Sequence, residues 1–79
     1  MDSDAQVVQR VLEGDRDAFA ILVHRYSQAV FGVIGRRVPR EAVEPVAQEV
    51  LISAFRSLGL YEPALPFQHW LLRIARRRC

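Results

Sequence analysis

A stretch near the end of the chain, residues 66–79, reads PFQHWLLRIARRRC. Its large apolar side chains recur every three or four positions, which predicts an amphipathic helix from Phe67 to about Arg78. The stretch contains four arginines and no acidic residue, so its own charge is +4. The net charge of the whole chain is +2, so the remaining residues sum to −2. The helix therefore has an apolar side that can pack on a core and a basic side that suits an anionic partner.

The N-terminal residues contain a sequence pattern that marks the start of a helix. Ser3 and Gln6 form a capping-box pattern, which predicts a first helix over residues 4–13. Gly14 supplies the left-handed residue that ends this helix. Asp15 is then predicted to cap the next helix.

Two longer helices are predicted between this start and the basic stretch. The second helix should cover residues 16–37, because Pro39 disfavours helical geometry just beyond them. The third helix should contain Pro45 in its first turn, where no backbone amide is needed, and should end near Leu58, where Gly59 follows.

No segment alternates with the period of a strand, and residues 59–66 contain two prolines and a glycine, which predict a loop. Gly32 and Gly35 form no phosphate-binding loop, and we expect them to let helices approach closely. The predicted fold class is all-α, a compact bundle of three to four helices in one domain over residues 1–79. The core is predicted to include Val8, Leu12, Phe19, Leu22, Tyr26, Val30, Val50, Leu51, Ala54, Trp70, Leu71 and Ile74.

The composition limits where the protein works. Cys79 is the one cysteine, so no intrachain disulfide can form. No stretch approaches the roughly 20 uninterrupted apolar residues of a membrane span. The acidic N-terminus, residues 1–4, does not resemble a signal peptide. We therefore expect a soluble cytoplasmic domain without a membrane partner.

The sequence contains no arrangement typical of catalysis. His24 and His69 have no carboxylate or cysteine partner at metal-ligand spacing. Asp15 and Asp17 are better explained as residues at a helix start than as a catalytic pair. We therefore expect no enzyme activity, no metal and no cofactor.

The third helix presents a mixed outward side. Gln48, Glu49, Ile52 and Arg56 lie together there, away from the core-facing residues. This side is either a solvated surface with one exposed isoleucine, which is ordinary for a soluble protein, or a site that binds a helix of a partner. Periodicity alone leaves both interpretations open.

The basic side of the last helix also has two interpretations. We expect Leu72 to lie on this outward side together with the arginines of the helix. The arginines either keep the surface soluble or neutralise nucleic-acid phosphates while Tyr61, His69 or Trp70 receives an unpaired base. The two interpretations differ in salt dependence. Each phosphate neutralised on a single strand changes the slope of log affinity against log salt by about −0.7.

A series of short motifs follows along the chain: Glu13-Gly14-Asp15, Ala18-Phe19, Arg25-Tyr26, Gln48-Glu49-Val50, Ala54-Phe55-Arg56 and Trp70-Leu71-Leu72-Arg73-Ile74-Ala75-Arg76. In this order and spacing they resemble region 2 of the bacterial extracytoplasmic-function (ECF) sigma factors. The resemblance extends over nearly all of the chain.

The resemblance implies a non-enzymatic subunit that docks on core RNA polymerase and recognises and melts the promoter −10 element in transcription initiation. It implies that the clamp coiled coil of the largest polymerase subunit packs on Gln48, Glu49, Ile52 and Arg56. It also implies that non-template bases are captured by the loop at residues 59–67 and the helix after it. The DNA-binding residues would be Tyr61, Phe67, Gln68, His69, Arg73, Arg76 and Arg77, with Trp70 supporting the helix.

The chain departs from the family pattern at three positions. Pro45 stands where an acidic residue is usual, Leu72 where an aromatic residue is common, and Arg77 where asparagine is usual. Such factors also normally continue into a second domain that reads the −35 element, and we expect none of residues 1–79 to belong to it. The alternative function is a sigma-derived interaction domain that an anti-sigma factor binds and that has no promoter activity of its own.

Overall fold

The structure, a computed structural model, describes all 79 residues as four α-helices joined by short connections. The helices are α1 (Asp4–Leu12), α2 (Phe19–Gly35), α3 (Val43–Arg56) and α4 (Phe67–Arg78). Short 3-10 helices lie between them: Arg16–Ala18 precedes α2, Arg40–Ala42 precedes α3, and Leu58–Leu60 follows α3. Because α2 contacts each of the other helices and α3 also packs on α4, the chain forms a bundle, and the all-α prediction is confirmed.

The boundaries of α1 agree with the sequence signals. The Ser3 hydroxyl accepts a hydrogen bond from the Gln6 amide at 3.2 Å, and the Gln6 side chain accepts one from the Ser3 amide at 2.8 Å. Gly14 follows the helix with φ +114°, a backbone conformation that favours glycine. Both the capping box and the glycine stop are confirmed.

The predicted second helix is shorter than expected and divided. Arg16–Ala18 forms a 3-10 helix, and the α-helix begins at Phe19 and ends at Gly35. Asp15 makes no capping hydrogen bond; its carboxylate accepts from the Arg10 guanidinium at 2.9 Å instead. The predicted cap was therefore wrong, because the turn after α1 brings an arginine within reach of this carboxylate.

Gly32 and Gly35 lie on the exposed side of α2. A Cβ atom placed on either glycine would meet no atom within 4 Å. The expectation that they let helices approach closely was therefore wrong.

The third helix passes through Pro45 without interruption. Pro45 is the third residue of α3, where its missing amide has no helical partner, as predicted. The helix ends at Arg56 rather than near Leu58, and the Ser57 hydroxyl donates to the Ser53 carbonyl at 2.6 Å. Gly59 lies in the following 3-10 helix.

The core is a single cluster of 16 buried hydrophobic residues from all four helices and the turns between them. Leu12 was wrongly predicted to join it; it is 50% exposed because it is the last residue of α1, where the chain turns away. Leu51 is half-buried outside the cluster. The confirmed core residues are Val8, Leu22, Val30, Val50, Ala54 and Leu71, with Phe19, Tyr26, Trp70 and Ile74 partly buried against them.

One helical segment, Arg16–Gly35, is long and apolar enough to cross a membrane by length and composition alone. Within it, Leu22 and Val30 are almost fully buried against the other helices, whereas His24 and Gln28 are exposed. A helix with one buried apolar side and one polar side is typical of the central helix of a bundle.

Candidate nucleic-acid interface and protein-docking face

The exposed side of α4 is basic. His69, Arg73 and Arg76 are exposed and, at spacings of four and three residues, share one side of the helix. Arg77 follows one turn after Arg73. All ion pairs in the protein involve Arg10 or Arg25, so the arginines of α4 have no acidic partner. We call this set the α4 surface: Gln68, His69, Arg73, Arg76 and Arg77.

Two of the predicted DNA-binding residues lie beneath the α4 surface. Tyr61 is 8% exposed and Phe67 is 2% exposed. Their ring centroids are 5.2 Å apart in an edge-on contact, and each lies 5.5 Å from the ring centroid of Trp70. Neither ring offers an open face for a base to stack on, so both residues, like Trp70, support the helix and its loop from below.

The loop before α4 is closed by its own hydrogen bonds. The Tyr61 hydroxyl donates to the Leu65 carbonyl at 2.5 Å, and the Leu65 amide donates to the Glu62 carbonyl at 2.9 Å. Burial of the phenol, followed by the charge of Asp4, raises the pKa of Tyr61 above its usual value, so the hydroxyl remains a donor further into the alkaline range than a free tyrosine would. Leu60 and Leu65 are exposed at the two ends of this loop.

Leu60 and Leu65 were not among the predicted site residues. The signal was present, because both leucines flank a proline-containing loop and have no place in a helical stripe. Leu72, in contrast, was wrongly predicted to point outward; it is 8% exposed. Since α4 contacts both α2 and α3, its buried arc is wider than one stripe.

The outward side of α3 forms a second surface, which we call the α3 surface: Gln48, Glu49, Ile52 and Arg56. All four residues are exposed, and Ile52 is 51% exposed despite its apolar side chain. Leu60 and Arg78 lie beside it and line a shallow groove with Ile52. The helical face predicted from periodicity is therefore present, and α4 contributes an arginine to its edge.

An apolar groove adjoins the α3 surface on the side facing α2. Phe19 and Phe55 lie edge-on with their ring centroids 5.2 Å apart, and Val23 and Leu51 complete the lining beside Ile52. Leu51 is half-buried because it lines this groove rather than the core.

A third group of side chains ties α1 to α2. The Asp4 carboxylate accepts a hydrogen bond from Arg25 at 2.8 Å and another from the Tyr26 hydroxyl. Burial, followed by the hydrogen bond to Asp4, raises the pKa of Tyr26 to about 12. The Tyr26 ring in turn lies 5.7 Å from the Phe67 ring, centroid to centroid.

Nothing in the side-chain arrangement provides a metal centre. The structure brings together no group of three or more His, Cys, Asp or Glu side chains that could hold a metal ion. Cys79 is exposed and free.

Comparison with known proteins assigns this four-helix bundle, with its mixed face on α3 and its basic face on α4, to a family. The sigma-70 region 2 family matches residues 22–79, and the chain belongs to this family.

Individual relatives show which kind of sigma factor the chain resembles. The chain is 41% identical to the ECF RNA polymerase sigma-E factors of Haemophilus influenzae and Escherichia coli K12, over 92% of its length. It is also 41% identical to the RNA polymerase sigma-H factor of Pseudomonas aeruginosa over 94% of its length. The resemblance to ECF sigma factors is therefore confirmed. The chain spans 38–39% of the length of these relatives.

A solved structure shares the fold. It is an NMR structure of an engineered region 2 of sigmaE in complex with GTAAAA, and its sequence is 39% identical to this chain. The superposition includes 98% of this chain and 81% of the chain in that structure, with a TM-score of 0.90. The assignment of individual DNA-binding and polymerase-binding residues stays a prediction.

Proposed function

We propose that residues 1–79 form one region 2-like domain that acts in transcription initiation. The domain binds core RNA polymerase through the α3 surface and recognises and melts the promoter −10 element with the α4 surface and the loop before it. This is a binding role without enzyme activity, carried out in the bacterial cytoplasm, where the polymerase is found.

The observation that carries the DNA-binding role is the row of unpaired arginines on α4. Arginines without acidic partners are free to neutralise phosphates. The helix also has no carboxylate, so no negative charge on α4 would repel the phosphates. The similarity to a region 2 solved in complex with GTAAAA supports a single-stranded ligand of this kind. His69 and Gln68 lie at the first turn of α4, next to the loop, where a non-template base would be held.

The composition of the α3 surface supports the polymerase-binding role. Ile52 forms an apolar centre, and Gln48, Glu49 and Arg56 form a polar rim, which is the usual anatomy of a protein interface. We propose that the clamp coiled coil of the largest polymerase subunit packs here. Pro45 removes an acidic side chain that is usual in the family but leaves α3 intact from Val43 onward, so the surface keeps its shape.

A direct test is the binding of fluorescent single-stranded GTAAAA DNA, followed by anisotropy. We expect the Arg73→Ala, Arg76→Ala double variant to bind more weakly than the wild type by tenfold or more. The matched control is Arg36→Ala, Arg37→Ala, which removes two exposed arginines from the turn just after α2. Equal affinities for the wild type and the α4 double variant would refute the assignment.

A second candidate function draws on the apolar groove between α2 and α3. Phe19, Val23, Leu51 and Phe55 form a surface that a helix of an anti-sigma factor could cover, next to Ile52. In this alternative the domain is a regulated interaction module without promoter activity. Binding of an isolated polymerase clamp fragment in a pull-down favours the first function, and its absence favours the second.

A further inference from the structure

Asp4 is more constrained than a surface carboxylate at a helix start. It accepts hydrogen bonds from both Arg25 and Tyr26, and the Arg25 guanidinium also donates to the Asp2 carbonyl at 2.6 Å. The Asp4 and Arg25 side chains are only 25% and 22% exposed. A pair shielded from water to this degree holds its geometry better than an exposed ion pair.

Tyr26 carries this constraint toward the loop. Its ring lies 5.7 Å from Phe67, the first residue of α4, and Phe67 lies 5.2 Å from Tyr61, centroid to centroid. The Tyr61 hydroxyl closes the loop on Leu65. A continuous series of contacts therefore runs from Asp4 on α1 to the loop before α4, and α1 also contacts the turn at Leu58–Leu60.

We infer that Asp4 is a positioning residue for DNA binding: by fixing the Tyr26 ring against Phe67, it sets the position of the loop at residues 61–66 and of the first turn of α4. The inference rests on the proposed function and deepens it. Asp4 itself touches no DNA, because its carboxylate is taken up by Arg25 and Tyr26 on the α1 side of the aromatic cluster.

The alternative is that Asp4 only adds stability to the fold. The two roles separate in a double-mutant cycle made of Asp4→Ala, Tyr26→Phe and the combination. Tyr26→Phe keeps the ring and removes only the hydroxyl that Asp4 binds. Asp15→Ala is the matched control, because it breaks an ion pair to Arg10 in the same part of the chain without touching the aromatic cluster.

Affinity for single-stranded GTAAAA DNA is measured at a temperature at which circular dichroism shows every variant folded. Asp4→Ala and Tyr26→Phe should each bind about threefold to tenfold more weakly, the range that one hydrogen bond supplies. The combination should bind no more weakly than the weaker of the two single variants, and Asp15→Ala should bind like the wild type. Emission of Trp70, the one tryptophan, should change in Asp4→Ala, in Tyr26→Phe and in the combination, and should stay unchanged in Asp15→Ala.

The outcomes are distinct. If the wild type binds and both Asp4→Ala and Tyr26→Phe bind equally well, the positioning role is overturned. The same conclusion follows if the losses in affinity add in the double variant, because Asp4 would then not act through Tyr26. Failure of the wild type to bind the DNA would overturn the proposed function and, with it, this inference.

Discussion

The hydroxyl of Tyr61 donates a 2.5 Å hydrogen bond to the carbonyl of Leu65, so one buried phenol closes the loop that precedes α4. Tyr61→Phe removes this donor and leaves the Leu65 carbonyl without its partner. We expect a loss of about 0.5–1.5 kcal/mol in the free energy of unfolding. We also expect faster hydrogen exchange at the Leu65 amide, with no change at amides in the middle of α3. An unchanged exchange rate at Leu65 would show that the bond does not order the loop.

The apolar centre of the α3 surface is tested by Ile52→Asp. A charge placed at the middle of a docking face should abolish capture of the polymerase clamp fragment in a pull-down. Stability should change by no more than about 0.5 kcal/mol, because the side chain is largely exposed. Leu12→Asp is the matched control, since Leu12 is exposed to the same extent but lies on α1. Capture of the clamp by the Ile52 variant at wild-type levels would contradict the assignment.

Salt titration tests the arginines of α4 as phosphate contacts. If Arg73, Arg76 and Arg77 each neutralise one phosphate of single-stranded DNA, the slope of log affinity against log salt is about −2. Each Arg→Gln substitution at these positions should make the slope less negative by about 0.7. Arg78→Gln should leave it unchanged, because Arg78 lies beside Ile52 in the groove next to α3. A slope that does not respond to the first three substitutions would exclude them as contacts.

Gly32→Ala should stabilise the domain. Gly32 lies inside α2, and a Cβ atom there meets nothing within 4 Å, so alanine adds helix propensity without a clash. The expected gain in the free energy of unfolding is about 0.5–1 kcal/mol. Gly14→Ala should act in the opposite direction, costing about 1–2 kcal/mol, because Gly14 has a left-handed φ of +114°. Thermal denaturation of both variants checks the pair.

Alkaline pH should weaken the fold through Tyr26. Its pKa is raised from 10.0 to about 12 in the folded protein, so the folded state holds this proton more tightly than the unfolded state does. This contribution to stability is complete below pH 10 and is lost as the pH rises toward 12. Urea denaturation should show the fall in that interval, and Tyr26→Phe should reduce it. Part of the fall should remain, because the pKa of Tyr61 is raised as well.

Features of the fold set by adjacent residues were predictable from the sequence. The capping box of Ser3 and Gln6 and the left-handed Gly14 depend only on near neighbours, so their patterns were sufficient. Pro45 likewise has a narrow set of allowed positions in a helix. Asp15 is different, because its competing partner, Arg10, comes within reach only once α1 has ended and the chain has turned.

Of the candidate site, the exposed arginines were predictable from the sequence and the buried residues beneath them were not. Periodicity and charge were enough to place Arg73 and Arg76 on the exposed side of α4. They were not enough for Tyr61, whose burial depends on a loop that folds back over Phe67 and Trp70. Leu72 was misplaced for a related reason: a helical pattern shows where apolar residues gather but not how many neighbours cover them.

The packing of α4 against both α2 and α3 has a mechanical consequence. Leu72 and Ala75 are buried within that packing, so the basic side of α4 and the outward side of α3 belong to one rigid unit. Neither surface can rotate without disrupting the core. On the proposed function, the domain is therefore a fixed adaptor, in which the orientation of the bound polymerase dictates the angle at which the DNA strand is presented.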